Sequence, residues 1–319
     1  MTNAILQVHD LRKIYSSRKR GPINAVDGLS FEVVKGELLG LLGPNGAGKT
    51  TTIKSICTLI HPTSGTIHVD GIDAVAHPRA AVQKMAAVLE GNRNIYWRLT
   101  TKENLELFAG LHGIASRKVR PLIDDLIERF HLGDKISAEA RALSRGMQQK
   151  LAVACAFVKQ TPILLLDEPT LGLDVETSHE LREQLRQMAV DEGRTILLSS
   201  HDMDVVQAMC ERVIIINAGK VVADDRVSNL LELFKARAYR FTLKHALASH
   251  FEIALKDRFP LIEVNGASLE VELADGAEIY ELMDLLRSSG AEIEAIDRKD
   301  PNLEEVFLKV VRKSTEGAQ

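Results

Sequence analysis

An α/β core, interrupted by a helical insertion and followed by a small α+β domain, is the fold class that this 319-residue chain predicts. Three observations carry it. The apolar runs Leu38–Leu42, Pro162–Asp167, Arg194–Ser200 and Val213–Ile216 lack alternation, the habit of parallel strands buried on both faces. The amphipathic stretch Glu176–Glu192 separates two of them, the order expected of an α/β core. The first run feeds into Gly43-Pro44-Asn45-Gly46-Ala47-Gly48-Lys49-Thr50, and Thr51–Cys57 follows as a helix.

Element by element, Ile5–Ile14 and Leu29–Val34 read as strands joined by an exposed loop holding Arg18-Lys19-Arg20. Thr66–Gly71 ends in Asp-Gly and belongs to a hairpin. Lys84–Leu89 is a strand. Thr101–Leu143 is helical in pattern, with Leu105, Phe108 and Leu111 on one face and Val119, Leu122, Ile123, Leu126, Ile127 and Phe130 on another. In the tail, Arg237–Leu243, Leu261–Val264, Ser268–Leu273 and Glu292–Ile296 are strands, while Ala246–Phe259 and Glu278–Ser288 are helices. That β-α-β-β-α-β order suits a ferredoxin-like fold. A last helix follows Pro301, with Asn302 as its N-cap.

Composition limits the function. From Ser228 onward 12 Lys and Arg face 17 Asp and Glu, against 28 and 27 before it, so neither part has the clustered base that nucleic-acid binding requires. Cys57, Cys155 and Cys210 lack Cys-x-x-Cys spacing and suit reduced, buried thiols. No apolar run approaches the roughly 18–20 residues needed to span a bilayer, and the N-terminus lacks a signal-peptide pattern.

The glycine-rich segment carries the chemistry. Glycines let successive backbone N–H groups turn inward on an anion, and the following helix adds the positive end of its dipole. Lys49 then reaches the β- and γ-phosphates, and the Thr50 hydroxyl ligates Mg²⁺. Downstream, Ile163–Glu168 delivers two carboxylates at a strand end: Asp167 to hold Mg²⁺ and Glu168 to polarise an attacking water. Ser144 is a natural N-cap for the helix through Ala156, whose N-terminus can receive an anion.

Together these residues resemble the ATP-binding cassette (ABC) ATPases over about residues 4–226. Gly43–Thr50 is similar to the Walker A loop and Ile163–Glu168 to Walker B. Leu143–Gln148 resembles the family signature Leu-Ser-Gly-Gly-Gln, and Leu171–Asp174 the D-loop. The resemblance implies a P-loop cassette: a RecA-like core with an antiparallel β subdomain, residues 1–227, and a helical insertion at about 92–160. It implies an ATP site of Tyr15, stacking on adenine, with Gly43, Pro44, Asn45, Gly46, Ala47, Gly48, Lys49, Thr50 and Thr51. Glu168, His201 and Lys49 are implied as catalytic, His201 touching the γ-phosphate, and Thr50, Asp167 and Glu90 as Mg²⁺ ligands. Ser144, Arg145 and Gly146 would meet ATP held by a second copy or a homologous ATPase subunit, with Asp174 in the D-loop.

Two departures from the pattern stand out. Glu90 occupies the usual glutamine position, which implies altered metal dependence or coupling. Arg145 and Met147 replace Gly and Gln in the signature; Arg145 lies along a phosphate, on a D-loop carboxylate, or in solvent.

The tail, residues 228–319, resembles that of bacterial exporter ATPases for drugs, sodium or polysaccharides, and is expected to stabilise a dimer or regulate it. The implied function is the cytoplasmic ATPase subunit of an ABC exporter. It would sit on the inner face of the membrane and power a separate transmembrane permease, with no nucleic-acid partner. Gly91–Trp97 is the candidate permease contact, with Tyr96 and Trp97 as its anchor, unless both aromatics pack internally. A soluble ABC-type ATPase or a low-turnover nucleotide-dependent regulator is the alternative.

Overall fold

The computed structural model describes residues 4–16, 21–91, 94–235, 238–260, 262–273, 277–298 and 303–316. They form two compact units, Met1–Asp225 and Arg226–Gln319.

The first unit runs β1 (Ala4–Tyr15), β2 (Ile23–Val34), β3 (Leu38–Leu42), α1 (Lys49–Ile56), β4 (Ser64–Val69), β5 (Ile72–Asp73), α2 (Pro78–Val82) and β6 (Met85–Val88). It continues through α3 (Thr101–Leu111), α4 (Ser116–Arg129), α5 (Arg145–Phe157), β7 (Ile163–Asp167), α6 (Val175–Glu192), β8 (Thr195–Ser200), α7 (Met203–Met209), β9 (Arg212–Asn217) and β10 (Lys220–Arg226). Two sheets result, one ordered β2-β1-β4-β5 and one ordered β10-β9-β3-β8-β7-β6.

Burial explains the division. β2 alternates, with Val26, Leu29, Phe31 and Val33 inward and Ser30, Glu32 and Val34 outward, as one wetted face requires. β3, β7 and β8 are buried at every residue and pair in parallel, β3 with β8 and β8 with β7. The inner face of the first sheet (Leu6, Val8, Leu29, Ile67) shares one apolar cluster with Leu39, Leu41, Leu165 and Leu197 of the second. The β4–β5 hairpin turns at Asp70 and Gly71, both at positive φ.

The predicted helical stretch Thr101–Leu143 is α3 and α4 followed by short 3₁₀ turns at 133–135 and 140–142. Leu111 does not join the buried face of α3; it is 59% exposed, while Asn104, Leu105 and Ala109 point inward. Thr100 caps this helix in a reciprocal capping box with Glu103.

The second unit is α8 (Val227–Lys235), β11 (Ala238–Leu243), α9 (Ser249–Arg258), β12 (Ile262–Asn265), β13 (Ser268–Glu272), α10 (Glu278–Ser288), β14 (Ile293–Arg298) and α11 (Leu303–Glu316). Its antiparallel sheet is ordered β12-β13-β11-β14, the ferredoxin-like arrangement that the β-α-β-β-α-β order predicts. Phe241, Leu269, Leu282 and Leu286 centre its core. Helix α8 is an addition to the predicted elements. The expected Asn302 cap, Pro301, the basic triplet at 18–20, and Asn92 and Arg93 lie outside the described residues.

Candidate active site

Parallel register gathers the motif residues. Leu42 of β3 lies beside Ser200 of β8, and Asp167 of β7 beside Ser199, so Gly43, Glu168 and His201 leave the sheet at one edge. Leu166 pairs with Val88 of β6, which brings Glu90 to the same edge. This is the carboxyl end of the strands, where open α/β sheets bind ligands.

The loop between β3 and α1 wraps a cleft of about 500 Å³ lined by Asn45, Gly46, Ala47, Gly48, Lys49, Thr50 and Thr51, with Ala25, Glu90, Glu168, Leu171 and His201 opposite. Gly48 is required by its backbone: its φ is 108°, and a Cβ there would sit 2.4 Å from the Ala25 carbonyl oxygen. Gly43 and Pro44 shape the loop from outside the lining. Their carbonyls accept from Lys49 Nζ at 2.7 and 3.3 Å.

Lys49 is 5% exposed and also lies 3.4 Å from Glu168 Oε1. The other carboxylate oxygen of Glu168 is 3.0 Å from His201 Nδ1. Glu168 itself is held at φ 51°, a left-handed conformation uncommon for a residue with a side chain. Its backbone N–H donates to the Ser199 carbonyl at 3.1 Å and approaches Ser199 Oγ at 3.2 Å. The Ser199 hydroxyl in turn donates to Asp167 Oδ1 at 2.6 Å. Ser199 is a functional neighbour that motif reading missed; its signal was the register of two buried strands.

Asp167 suits a hard cation. It is 1% exposed, Thr50 Oγ1 donates to its Oδ1 at 3.1 Å, and its Oδ2 is buried with no partner among the described residues. A buried carboxylate oxygen left open beside a hydroxyl is the oxygen-donor setting that Mg²⁺ takes. Glu90, the third implied ligand, is exposed on the rim of the cleft.

Ser144 caps α5, accepting from the Met147 N–H at 3.2 Å. Asp174 caps α6, accepting from the Thr177 N–H at 2.8 Å and its hydroxyl at 2.9 Å, bonds that hold its carboxyl below the usual range. Arg145 is an exposed residue, as its solvent alternative expects, and its Nη2 donates to the Leu171 carbonyl at 3.2 Å.

Tyr15 ends β1 opposite Ile23, 38% exposed, with Lys13 Nζ 5.2 Å from its ring centre, and is not among the residues lining the cleft. Tyr96 and Trp97 are 54% and 45% exposed, and the Tyr96 ring also lies against Phe108 of α3 with centroids 5.9 Å apart, so internal packing describes Tyr96 in part. What fixes their segment is Asn104, fully buried, which accepts from the Tyr96 N–H at 2.7 Å and donates to the carbonyls of Tyr96, Leu99 and Thr100.

A phosphate loop, a buried aspartate beside a threonine hydroxyl, and a glutamate between lysine and histidine define a nucleotide hydrolase of the P-loop class. Residues 26–171 match the model of the ABC transporter family. The chain is 40% identical over 214 residues to the ABC transporter ATP-binding protein NatA of Bacillus subtilis (strain 168), covering 67% of this chain and 87% of that one. It is 31% identical over 313 residues to the daunorubicin resistance ATP-binding protein DrrA3 of Streptomyces coeruleorubidus, 97% and 96% of the two chains. A dimeric, post-hydrolysis ATP-binding cassette bound to ADP and Pi superposes with a TM-score of 0.63 at 25% identity, over 70% of this chain and 98% of that one. The chain belongs to the ABC transporter ATP-binding proteins and is an ATPase subunit of that family.

Proposed function

We propose that ATP binds in the cleft with Mg²⁺, is hydrolysed by Glu168 and closes two copies of the chain, and that this closure powers export through a separate transmembrane subunit. The observation that carries the reading is the placement of Glu168 between Lys49 at 3.4 Å and His201 at 3.0 Å, beside the open oxygen of Asp167.

Thr50, Asp167 and Glu90 would hold the ion, which when bound neutralises charge on the β- and γ-phosphate oxygens. Without nucleotide, Lys49 is satisfied by two loop carbonyls and Glu168. With nucleotide, Lys49 turns its charge to the phosphates, and Glu168, freed of that partner, accepts a proton from the attacking water. His201, 37% exposed on its side chain, is free to reach a γ-phosphate. Tyr15 stacks on adenine from the end of the β1–β2 ribbon. Ser144 and Gly146 of a second copy close the site, where the start of α5 presents backbone N–H groups and the positive end of its dipole to the γ-phosphate. ATP is then bound more tightly by the closed pair than by either half, and hydrolysis removes that difference.

Dimer closure is supported by the dimeric cassette that superposes on this chain. Export is supported by the nearly full-length likeness to a drug-resistance ATP-binding protein. No helix among the described residues is long and apolar enough to cross a membrane; in this reading a second polypeptide forms the channel and this one sits at the inner membrane face. Glu168→Gln tests the mechanism: Mg²⁺-ATP turnover is lost while ATP-dependent dimers accumulate. A variant that keeps normal turnover would sink the assignment of the base.

A further inference from the structure

Arg145 stands where the family signature carries glycine, and its guanidinium is seated within its own protomer. Beyond the bond from Nη2 to the Leu171 carbonyl, a Cβ built on Gly172 would fall 2.4 to 2.8 Å from three guanidinium atoms. The planar group therefore lies on bare backbone at Gly172, which sits at φ 72°. The N–H of Leu171 donates in turn to the Glu168 carbonyl at 3.2 Å. Two successive hydrogen bonds thus connect the peptide of Glu168 to the first residue of α5. A second contact holds α5 to the helix that follows this turn, because a Cβ on Gly146 would come 2.6 Å from Thr177 Cγ2 in the first turn of α6.

Charge points the same way. The cleft of about 140 Å³ beside this turn is lined by Glu90, Asp167 and Glu168, and Arg145 is the one lysine or arginine among its described lining residues. A guanidinium keeps its charge at any working pH and presents its donors in a fixed plane, so it can bond the turn and face the carboxylates together.

We propose that Arg145 is a positioning residue: it pins the turn from Glu168 to Gly172 to the signature helix of the same protomer. That anchorage keeps the left-handed Glu168 aimed into the nucleotide cleft, and it offsets the acid that Glu90 adds. The effect on turnover rests on Glu168 being the base; the anchorage itself does not.

The test uses Arg145→Ala and Arg145→Lys in the full chain, read by millisecond hydrogen exchange of the Leu171 and Leu173 amides without nucleotide and by steady-state ATPase kinetics. With alanine, exchange at Leu171 speeds about five-fold, the share of a single hydrogen bond, while amides of β8 are unmoved. The kcat falls several-fold with KM for ATP unchanged, the signature of lost alignment rather than lost binding. Lysine, an ammonium with no plane to lie on Gly172, recovers only part of either effect. Unchanged exchange in Arg145→Ala overturns the proposal, as does a raised KM with normal kcat, which would place the guanidinium on nucleotide. If the unaltered protein shows no Glu168-dependent turnover, the assignment of the base fails, and the exchange result still decides the anchorage.

Discussion

Removing the charge of Glu168 should weaken the empty protein and tighten ATP binding together. Lys49 and Glu168 are both more than nine-tenths buried and 3.4 Å apart, so at an effective dielectric near 20 their gross attraction is about 5 kcal/mol. Desolvation offsets much of that, and truncating one partner of a buried pair typically costs about 3–5 kcal/mol through the stranded charge. Lys49 is not stranded in Glu168→Gln, since Gly43 and Pro44 still accept from it. The expected loss is therefore smaller, about 2 kcal/mol, which lowers Tm by roughly 4–8 °C for a unit of this size. A bound γ-phosphate restores an anion to Lys49, so the nucleotide complex escapes that loss. Closing the thermodynamic cycle, ATP affinity rises by about the same 2 kcal/mol, roughly 30-fold. Thermal unfolding with and without Mg²⁺-ATP, and calorimetric titration at concentrations that hold the protein monomeric, measure both quantities. An unchanged Tm with unchanged or weaker affinity would refute the reasoning, because Lys49 would then not be engaged by Glu168 before nucleotide arrives.

Further outcomes follow from individual side chains. Burial, then the nearby Lys159, pushes the His112 pKa down, and its Nε2 is buried without a hydrogen-bond partner among the described residues. A base with a depressed folded pKa contributes stability present above its usual value of about 6.5 and lost as pH falls below it. Melts should thus decline from pH 7.5 to 5.5, less steeply in His112→Gln; equal slopes would contradict this. The three cysteines are buried and free, and burial pushes Cys57 up to about 12, so a thiol reagent should label them only as fast as the fold opens, with urea accelerating it. Rapid labelling of the native protein would be the contrary result. Trp97→Ala should keep basal ATPase activity and lose association with vesicles carrying the cognate membrane subunit; unchanged association would remove Trp97 as an anchor.

Much of the site was readable from residue order because phosphate chemistry constrains it. A loop that presents backbone N–H groups needs glycine where φ is positive, and carboxylates that meet it must end a buried strand. Reading those strands as parallel also placed their ends at one edge. Side-chain partnerships were less legible. The choice of Arg145 for the Leu171 carbonyl depends on a glycine 27 positions away leaving room for a guanidinium, which no local pattern encodes. Ser199 looked like the end of an apolar run until register set it against Asp167. Leu111 was misplaced because α3 is oriented by a polar residue: Asn104 must face inward to bond the 96–100 segment, and that turns Leu111 to water. Helix α8, nine residues ending at Lys235, went unassigned because so short a segment shows little of its helical period.

The central claim is that each chain holds half of a site completed by another. Mixing Glu168→Gln and Ser144→Arg proteins before adding Mg²⁺-ATP tests it most directly. Each variant alone is inactive, since the first lacks the base and the second blocks the signature. A random mixture is half mixed dimers, each with one complete site, so about a quarter of normal ATPase activity should return. A mixture as inactive as its parts, with mixed dimers demonstrably present, would contradict the account.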